Sequence, residues 1–406
     1  MRFNTLLIHN NNTHDFNNST LFPIYQSTSY EYDTAEQLER IFNGKEPGYI
    51  YTRINNPTVD VFERRIASIE GGIGAVACSS GMAAITMAIM SLVSSGDEIV
   101  SSIGIFGGTY SLLTSLKHYG INVRFSKDSN IDSFYECINE KTKLIFIETI
   151  GNPKLDIPNI NELSQLAHSN NIPLIVDNTV TTPYIIKPID FGADIVIHST
   201  SKYINGSANA IGGVIIDSGN FHWDYNKFKT LKEYKDFGDF AYLAKLKKGL
   251  LKDFGACLSP FNAYLTSLGL ETLGIRMERM CDNAMKLAQY LKTNTKNISV
   301  NYPGFDDNQY YSIASKQFNK KFGALLTIRC GTKDRAFKVI NNLRLAKNLA
   351  NIGDVRTLVI HPASTISANI EEKERSGVYD DLIRISVGIE DIDDIIEDFE
   401  ESIRKL

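Results

Sequence analysis

The chain has little cysteine, a single tryptophan and no long apolar run. Its five cysteines (Cys78, Cys137, Cys257, Cys281 and Cys330) are scattered through 406 residues, and none forms a C-x-x-C pair. That spacing excludes a disulfide framework and a zinc ribbon. Seven histidines are equally dispersed, with no H-E-x-x-H, so no metal site is expected. No stretch approaches the roughly 18 consecutive apolar residues of a membrane-spanning helix. A dominant charge is missing too: 42 Lys+Arg against 47 Asp+Glu leave a net charge of -5. That balance argues against a protein that tracks nucleic-acid phosphates. The run Met1–His9 has one basic residue and too short an apolar stretch for a signal peptide. A soluble, reduced, cytoplasmic protein is the expectation.

What is present is an average globular composition, 43% hydrophobic, which is too apolar for a disordered chain. At about 150 residues per domain the length suggests two or three domains. The first 50 or so residues are polar and irregular, with Asn10-Asn11-Asn12 and Asn17-Asn18. They read as an arm that crosses a surface. Asn56-Pro57 then starts a helix, as N-cap and first helical residue. Val59, Phe62, Ile66 and Ile69 share one face of it, and Gly71-Gly72 stops it.

A strand Ala75–Cys78 follows, then the turn Ser79-Ser80-Gly81 and an apolar helix from Met82 to about Leu92. Further apolar runs are Glu98–Ser101, Leu144–Ile147, Pro173–Val176, Asp194–Ile197 and Gly213–Ile216. The last four read as buried parallel strands, with a helix Asn159–Asn170 among them. This rhythm predicts an α/β fold: a mostly parallel sheet covered by helices on both faces, with ligands at the carboxyl ends of the strands. Residues 221–255 break the pattern. Their Lys residues and rings (Trp223, Tyr225, Phe228, Tyr234) are interleaved with Asp and Glu, which favours a partly buried insertion or interface loop over a nucleic-acid surface. A helical pattern Pro260–Lys292 leads into an α+β region: strands Gly323–Cys330, Arg356–Ile360 and Leu382–Val387, a helix near Asp334–Leu349 and a terminal helix from Asp391. The expected division is an arm (1–55), a large α/β domain (56–255) and a smaller C-terminal α+β domain (256–406).

The chemically interesting residues lie just after predicted strands. Ser79-Ser80-Gly81-Met82 places backbone N–H groups at a helix start, which makes a phosphate cup; alone, such a turn is more often a connection. Asp177 ends a buried strand, where an acid is either paired or a helix cap. In His198-Ser199-Thr200-Ser201-Lys202-Tyr203 a lysine emerges among three hydroxyls, as an imine-forming amine does, although a surface lysine is the commoner case. Glu148-Thr149-Ile150-Gly151-Asn152-Pro153 adds an amide at the same sheet edge. Together a phosphate cup, an acid, an amide and a lysine match the parts of a pyridoxal phosphate site.

With these motifs assembled, the chain resembles the cysteine/methionine metabolism family of fold-type I pyridoxal phosphate enzymes over nearly its whole length. Tyr51-Thr52-Arg53-Ile54-Asn55-Asn56-Pro57-Thr58, Phe106-Gly107-Gly108-Thr109-Tyr110 and the segment from Asp194 to Gly206 carry the resemblance. It implies a seven-stranded type of sheet and bound pyridoxal 5'-phosphate. Lys202 would form the Schiff base and then move protons, Asp177 would pair with the pyridinium nitrogen, and Asn152 would bind the ring hydroxyl. Ser80, Gly81, Met82, Ser199 and Ser201 would hold the phosphate, joined by Tyr51 and Arg53 from a neighbouring subunit. Arg384 would clamp the substrate α-carboxylate, with Tyr51 and Asn351 also at the substrate. A homodimer at least, commonly a dimer of dimers, would follow, with a small amino-acid substrate and neither nucleic acid nor membrane as partner.

Phe106 departs from the family's usual tyrosine, keeping a stacking ring and losing its hydroxyl. Within the family, Gly255-Ala256-Cys257-Leu258-Ser259-Pro260-Phe261-Asn262, Asn351-Ile352-Gly353-Asp354, Leu358–Pro362 and Val387-Gly388-Ile389-Glu390-Asp391 resemble O-acetylhomoserine sulfhydrylases. That implies γ-replacement of acetate by sulfide or methanethiol. Methionine γ-lyases typically carry cysteine where Gly108 stands. Met82 in place of a frequent glutamine, and Thr365-Ile366-Ser367 in place of Thr-Thr-His, leave the acyl group and sulfur donor open, and methionine γ-lyase or cystathionine γ-synthase/lyase chemistry is the alternative. From another class, Gly72-Ile73-Gly74-Ala75-Val76-Ala77 matches a dinucleotide fingerprint, but it follows a helix and enters a strand, the reverse of what that motif requires.

Overall fold

A computed structural model of the chain describes residues 1–10, 17–366 and 377–406. Asn11, Asn12 and Ser367, singled out above, fall outside the described residues.

Seven strands form the larger sheet: β1 (Gly74–Cys78), β2 (Glu98–Ser101), β3 (Asn122–Phe125), β4 (Thr142–Glu148), β5 (Leu174–Asp177), β6 (Ile195–His198) and β7 (Gly213–Asp217). Their spatial order is β1-β7-β6-β5-β4-β2-β3. The run β6-β5-β4-β2-β3 is parallel. One expectation is corrected: Gly213–Ile216 is not a parallel strand, because β7 runs antiparallel to both β6 and β1. The connection from β6 to β7 holds no helix, and without a helical crossover the chain returns in the opposite direction. β3 escaped the sequence reading because it is a half-exposed edge strand, Asn-Val-Arg-Phe.

Side chains alternate across this sheet. On one face Cys78, Leu144, Phe146, Ile175, Ile197 and Ile215 pack with Ala84, Ile85, Ala88 and Ile89 of the helix Gly81–Met90. On the other, Ile145, Ile147, Val176, Val196 and Val214 meet Phe62, Ile66 and Ile69 of the helix Pro57–Glu70. That helix begins as its sequence requires: the Asn56 side chain accepts the Thr58 and Val59 N–H groups, Pro57 follows, and Gly71 ends it at φ 89°.

A second sheet has the order β10 (Lys347–Asn348), β11 (Leu358–Ile360), β12 (Leu382–Ser386), β9 (Leu325–Arg329) and β8 (Ser299–Asn301). The helical pattern from Pro260 is two helices, Pro260–Glu271 and Leu273–Asn294. The expected helix Asp334–Leu349 is shorter, Lys333–Asn342. Beyond it the Asp398 carboxylate collects the N–H groups of Arg344, Leu345 and Ala346, a tertiary contact that fixes a turn there. The arm is less irregular than expected, since it contains helices Phe3–His9 and Ala35–Phe42. Each buries a single residue, Leu7 and Ile41, too little to print a period on the sequence. Within the insertion, Trp223 is buried and stacks on Tyr242 with 5.4 Å between centroids, so that ring is a packing element and is not available to bases.

Candidate active site

A cavity of about 540 Å³ opens at the carboxyl ends of the parallel strands, where helix Gly81–Met90, the turn after β6 and the second sheet converge. Eleven of the sequence-derived residues line it: Ser80, Gly81, Met82, Phe106, Asn152, Asp177, Ser199, Ser201, Lys202, Asn351 and Arg384. Tyr51 and Arg53 do not. They lie together on the outside, with the Arg53 guanidinium 5.4 Å from the Tyr51 ring centroid and Arg53 Nη1 donating to the Lys252 carbonyl.

The phosphate cup has free donors. Ser80 Oγ accepts the Ala83 N–H and its carbonyl accepts that of Ala84. This leaves the Gly81 and Met82 N–H groups at the positive end of the helix dipole without an acceptor in the chain among the described residues. Gly81 is required by contact: a Cβ there would lie 2.6 Å from Ser199 Cβ. Ser199 is fixed by its N–H to Thr179 Oγ1, and Ser201 Oγ accepts the Gly212 N–H.

Asp177 ends β5 facing the cavity. Its Oδ1 accepts from both Thr179 N–H (2.9 Å) and Thr179 Oγ1 (2.5 Å), while Oδ2 accepts no hydrogen bond among the described residues. Burial pushes its pKa up, and the Thr179 bonds oppose that. Lys202 Nζ donates to Asn351 Oδ1 at 2.6 Å. Burial, and then the Arg384 charge, bring the lysine down to about 8, which favours the neutral, nucleophilic amine. Arg384 is 4% exposed. Its Nη1 donates to Asn152 Oδ1 (3.0 Å) and its Nη2 to the Asn351 carbonyl (2.9 Å), while Nε has no partner among the described residues. Burial lowers it to about 10. Among the described residues this buried guanidinium meets only neutral oxygens, and it is poorly compensated unless an anion joins it.

Other lining residues, Thr109, Glu148, Thr179 and Ile211 among them, were not singled out for roles by their sequence. Thr179, two residues after Asp177, is the one with a local signal, since a hydroxyl at that offset caps an aspartate in a turn. Thr109 Oγ1 is buried and has no partner among the described residues. Taken together, the donor set fits pyridoxal phosphate: unpaired helix-start N–H groups for a phosphate, a free Asp177 oxygen for a protonated ring nitrogen, and a buried amine for the aldehyde.

Comparison with known proteins agrees. The family model "Cys/Met metabolism PLP-dependent enzyme" matches residues 4–404. The "Sulfhydrylase FUB7" of Gibberella moniliformis is 42% identical, over 99% of this chain and 97% of its own. The O-acetyl-L-homoserine sulfhydrylase of Corynebacterium glutamicum is 41% identical, over 98% and 96%. A Campylobacter jejuni crystal structure, assigned as an O-acetylhomoserine (thiol)-lyase and carrying a pyridoxyl-lysine phosphate group, superposes with TM-score 0.95 at 35% identity and covers 100% of both chains. With motifs, site geometry and full-length similarity in agreement, the chain belongs to the Cys/Met metabolism family of pyridoxal phosphate-dependent enzymes.

Proposed function

We propose that this enzyme catalyses γ-replacement on O-acetyl-L-homoserine, exchanging acetate for hydrosulfide (or methanethiol) and giving homocysteine (or methionine). One observation carries the reading: an unpaired buried guanidinium and a depressed lysine share one cavity, in a chain similar over its length to O-acetyl-L-homoserine sulfhydrylases. When bound, the cofactor supplies an electron sink for negative charge that develops on the substrate next to its amine.

The chain's own groups do the rest. Lys202 would hold the cofactor covalently through Nζ and, once the substrate amine displaces it, would move protons at Cα and Cβ. Its lowered pKa suits that work near neutral pH. Asp177 Oδ2 would hold the ring-nitrogen proton, Asn152 Nδ2 the ring hydroxyl, and Ser80, Gly81, Met82, Ser199 and Ser201 the phosphate. The Phe106 ring would lie on the cofactor face. Arg384 would receive the α-carboxylate, with Asn351 beside it, and so point Cγ and its acetate toward the exposed rim at Ile211. Acetate is a stable anion and leaves Cγ without a protonating hydroxyl, which is consistent with phenylalanine at 106.

Tyr51 and Arg53 would complete the phosphate site of a neighbouring subunit, in a homodimer or homotetramer. Their position outside their own cavity supports this. The division at residue 256 into cofactor and C-terminal domains, after an arm ending at 55, is supported by the two separate sheets. Among the described residues no helix is long and apolar enough to cross a membrane, and a cytoplasmic location is part of this reading.

The test is product identification. Purified enzyme with O-acetylhomoserine should give homocysteine and acetate only when sulfide is present. O-succinylhomoserine, cystathionine and methionine should react poorly. Rapid 2-oxobutyrate release from methionine without sulfide would overturn the assignment.

A further inference from the structure

Glu148 has no part in the scheme above, yet it is buried in the cavity wall beside the cofactor-facing acid. It closes β4 in register with Asp177 at the end of β5. Both side chains leave the sheet on the same face, the one covered by helix Gly81–Met90. Glu148 Oε1 accepts the main-chain N–H of Phe106 at 2.7 Å, and the main-chain N–H of Asn152 approaches the same carboxyl and favours its charge. One side chain thus fastens two segments that approach the cavity from different loops.

We propose that Glu148 is a positioning residue of the cofactor site, holding the Phe106 ring and the Asn152 amide in fixed relation to Asp177. The proposal deepens the functional reading and rests on it.

Three observations bear on the role. The Phe106 ring has a shaped seat, because a Cβ at Gly108 would come 2.6 Å from its Cε1. The Phe106 backbone is held on both sides, the N–H by the Glu148 carboxyl at 2.7 Å and the carbonyl by the Tyr110 N–H at 3.0 Å, so Glu148 fixes the end that enters from the loop. Asn152 passes the constraint onward, because its Oδ1 holds Arg384 Nη1 at 3.0 Å. Loosening Glu148 would therefore shift the ring seat, the amide and the carboxylate clamp together.

The charge arrangement has a consequence. Two carboxylates in register in a dry site cannot both ionise cheaply. Asp177 has two Thr179 donors to hold its charge. Burial and the Asp177 charge both push the proton toward Glu148, with buried Asp156 adding to the effect. Glu148 then works as a neutral acid, accepting backbone N–H bonds and leaving Asp177 as the single anion facing the ring nitrogen.

The experiment uses the cofactor-loaded enzyme and reads the induced circular dichroism of the visible imine band, its pH titration, and kcat and KM separately. Glu148→Gln keeps the acceptor and the neutral charge, so dichroism and pH titration should match the wild type, with kcat within about threefold. Glu148→Ala should lose at least half the dichroism, and kcat should fall about 10- to 100-fold, the scale of misplacing a reacting group by an ångström. Glu148→Asp falls one methylene short of both N–H groups and should resemble Ala, which keeps the test usable should the Ala variant not fold. Unchanged dichroism and kcat in Ala or Asp would overturn the inference. A Gln variant as impaired as Ala would overturn it too, since the ionised carboxylate would then be what matters. A colourless wild-type protein would refute the cofactor reading itself, whereas a coloured one indifferent to Glu148 refutes this inference alone.

Discussion

Replacing Arg384 by lysine isolates the geometry of the carboxylate clamp from its charge. Arg384 reaches the cavity from the middle of β12, anchored through Asn152 Oδ1 at 3.0 Å and the Asn351 carbonyl at 2.9 Å. Neither partner is charged, and among the described residues no anion meets this buried cation, which the incoming α-carboxylate would supply. A charge-assisted hydrogen bond is worth about 1.5–3 kcal/mol. Lysine keeps the charge but offers a point donor where arginine offers a planar fork, so one such bond and one of the two anchors are lost. A loss of about 2–3 kcal/mol corresponds to roughly 30- to 150-fold in kcat/KM. Most of it should fall on KM, because the carboxylate is bound alike before and during reaction. The assay compares O-acetyl-L-homoserine with its carboxamide analogue in homocysteine formation. The acid should show the full loss, and on the amide the two enzymes should agree within about threefold. An equal loss on acid and amide, or no loss on the acid, would falsify the assignment of the guanidinium to that carboxyl group.

Three other expectations follow from particular groups. Lys202 titrates at about 8 because it is buried near Arg384, so capture of cofactor by the apoprotein should speed up through that pH and then level off. A rate still climbing at pH 10, read from growth of the imine band, would contradict it. Phe106→Tyr restores a hydroxyl at the ring and should help thioether cleavage more than cleavage of O-acetylhomoserine; the opposite ranking in parallel kinetic assays would sink the leaving-group argument. Asp217 is buried with Oδ2 unpartnered among the described residues, and burial raises it to about 7. Between about pH 4 and 7 the native chain then holds a proton that the unfolded chain has released, so stability falls as pH rises through that window. Asp217→Asn should flatten the slope and add about 1–3 kcal/mol at pH 8, measured as a denaturant midpoint; an unchanged pH slope would rule this out.

Six of the seven strands between Asn56 and Asp217 were legible because each of these buried strands is a short apolar run and the turns around them carry their own punctuation. Asn56-Pro57 and Gly71 mark both ends of one helix through local backbone chemistry, and such signals survive without any knowledge of the fold. The strand-end motifs and the family resemblance together located eleven residues of the cavity; those on the larger sheet meet because an α/β sheet gathers its strand ends at one edge. The direction of β7 was not legible: Gly-Val-Ile-Ile-Asp reads the same in a parallel or antiparallel neighbour, and the helix-free return from β6 decided it. The end of the helix Lys333–Asn342 depended on Asp398, far along the chain. Glu148 passed as part of a turn because its importance lies in which backbone N–H groups come within reach and which acid stands beside it. Identity and spacing are properties of the chain, and they determined the parts. Burial, register and the pairing of charges exist only once distant segments pack together, and they decided which lysine is lowered, which arginine awaits an anion and which carboxyl group keeps its proton.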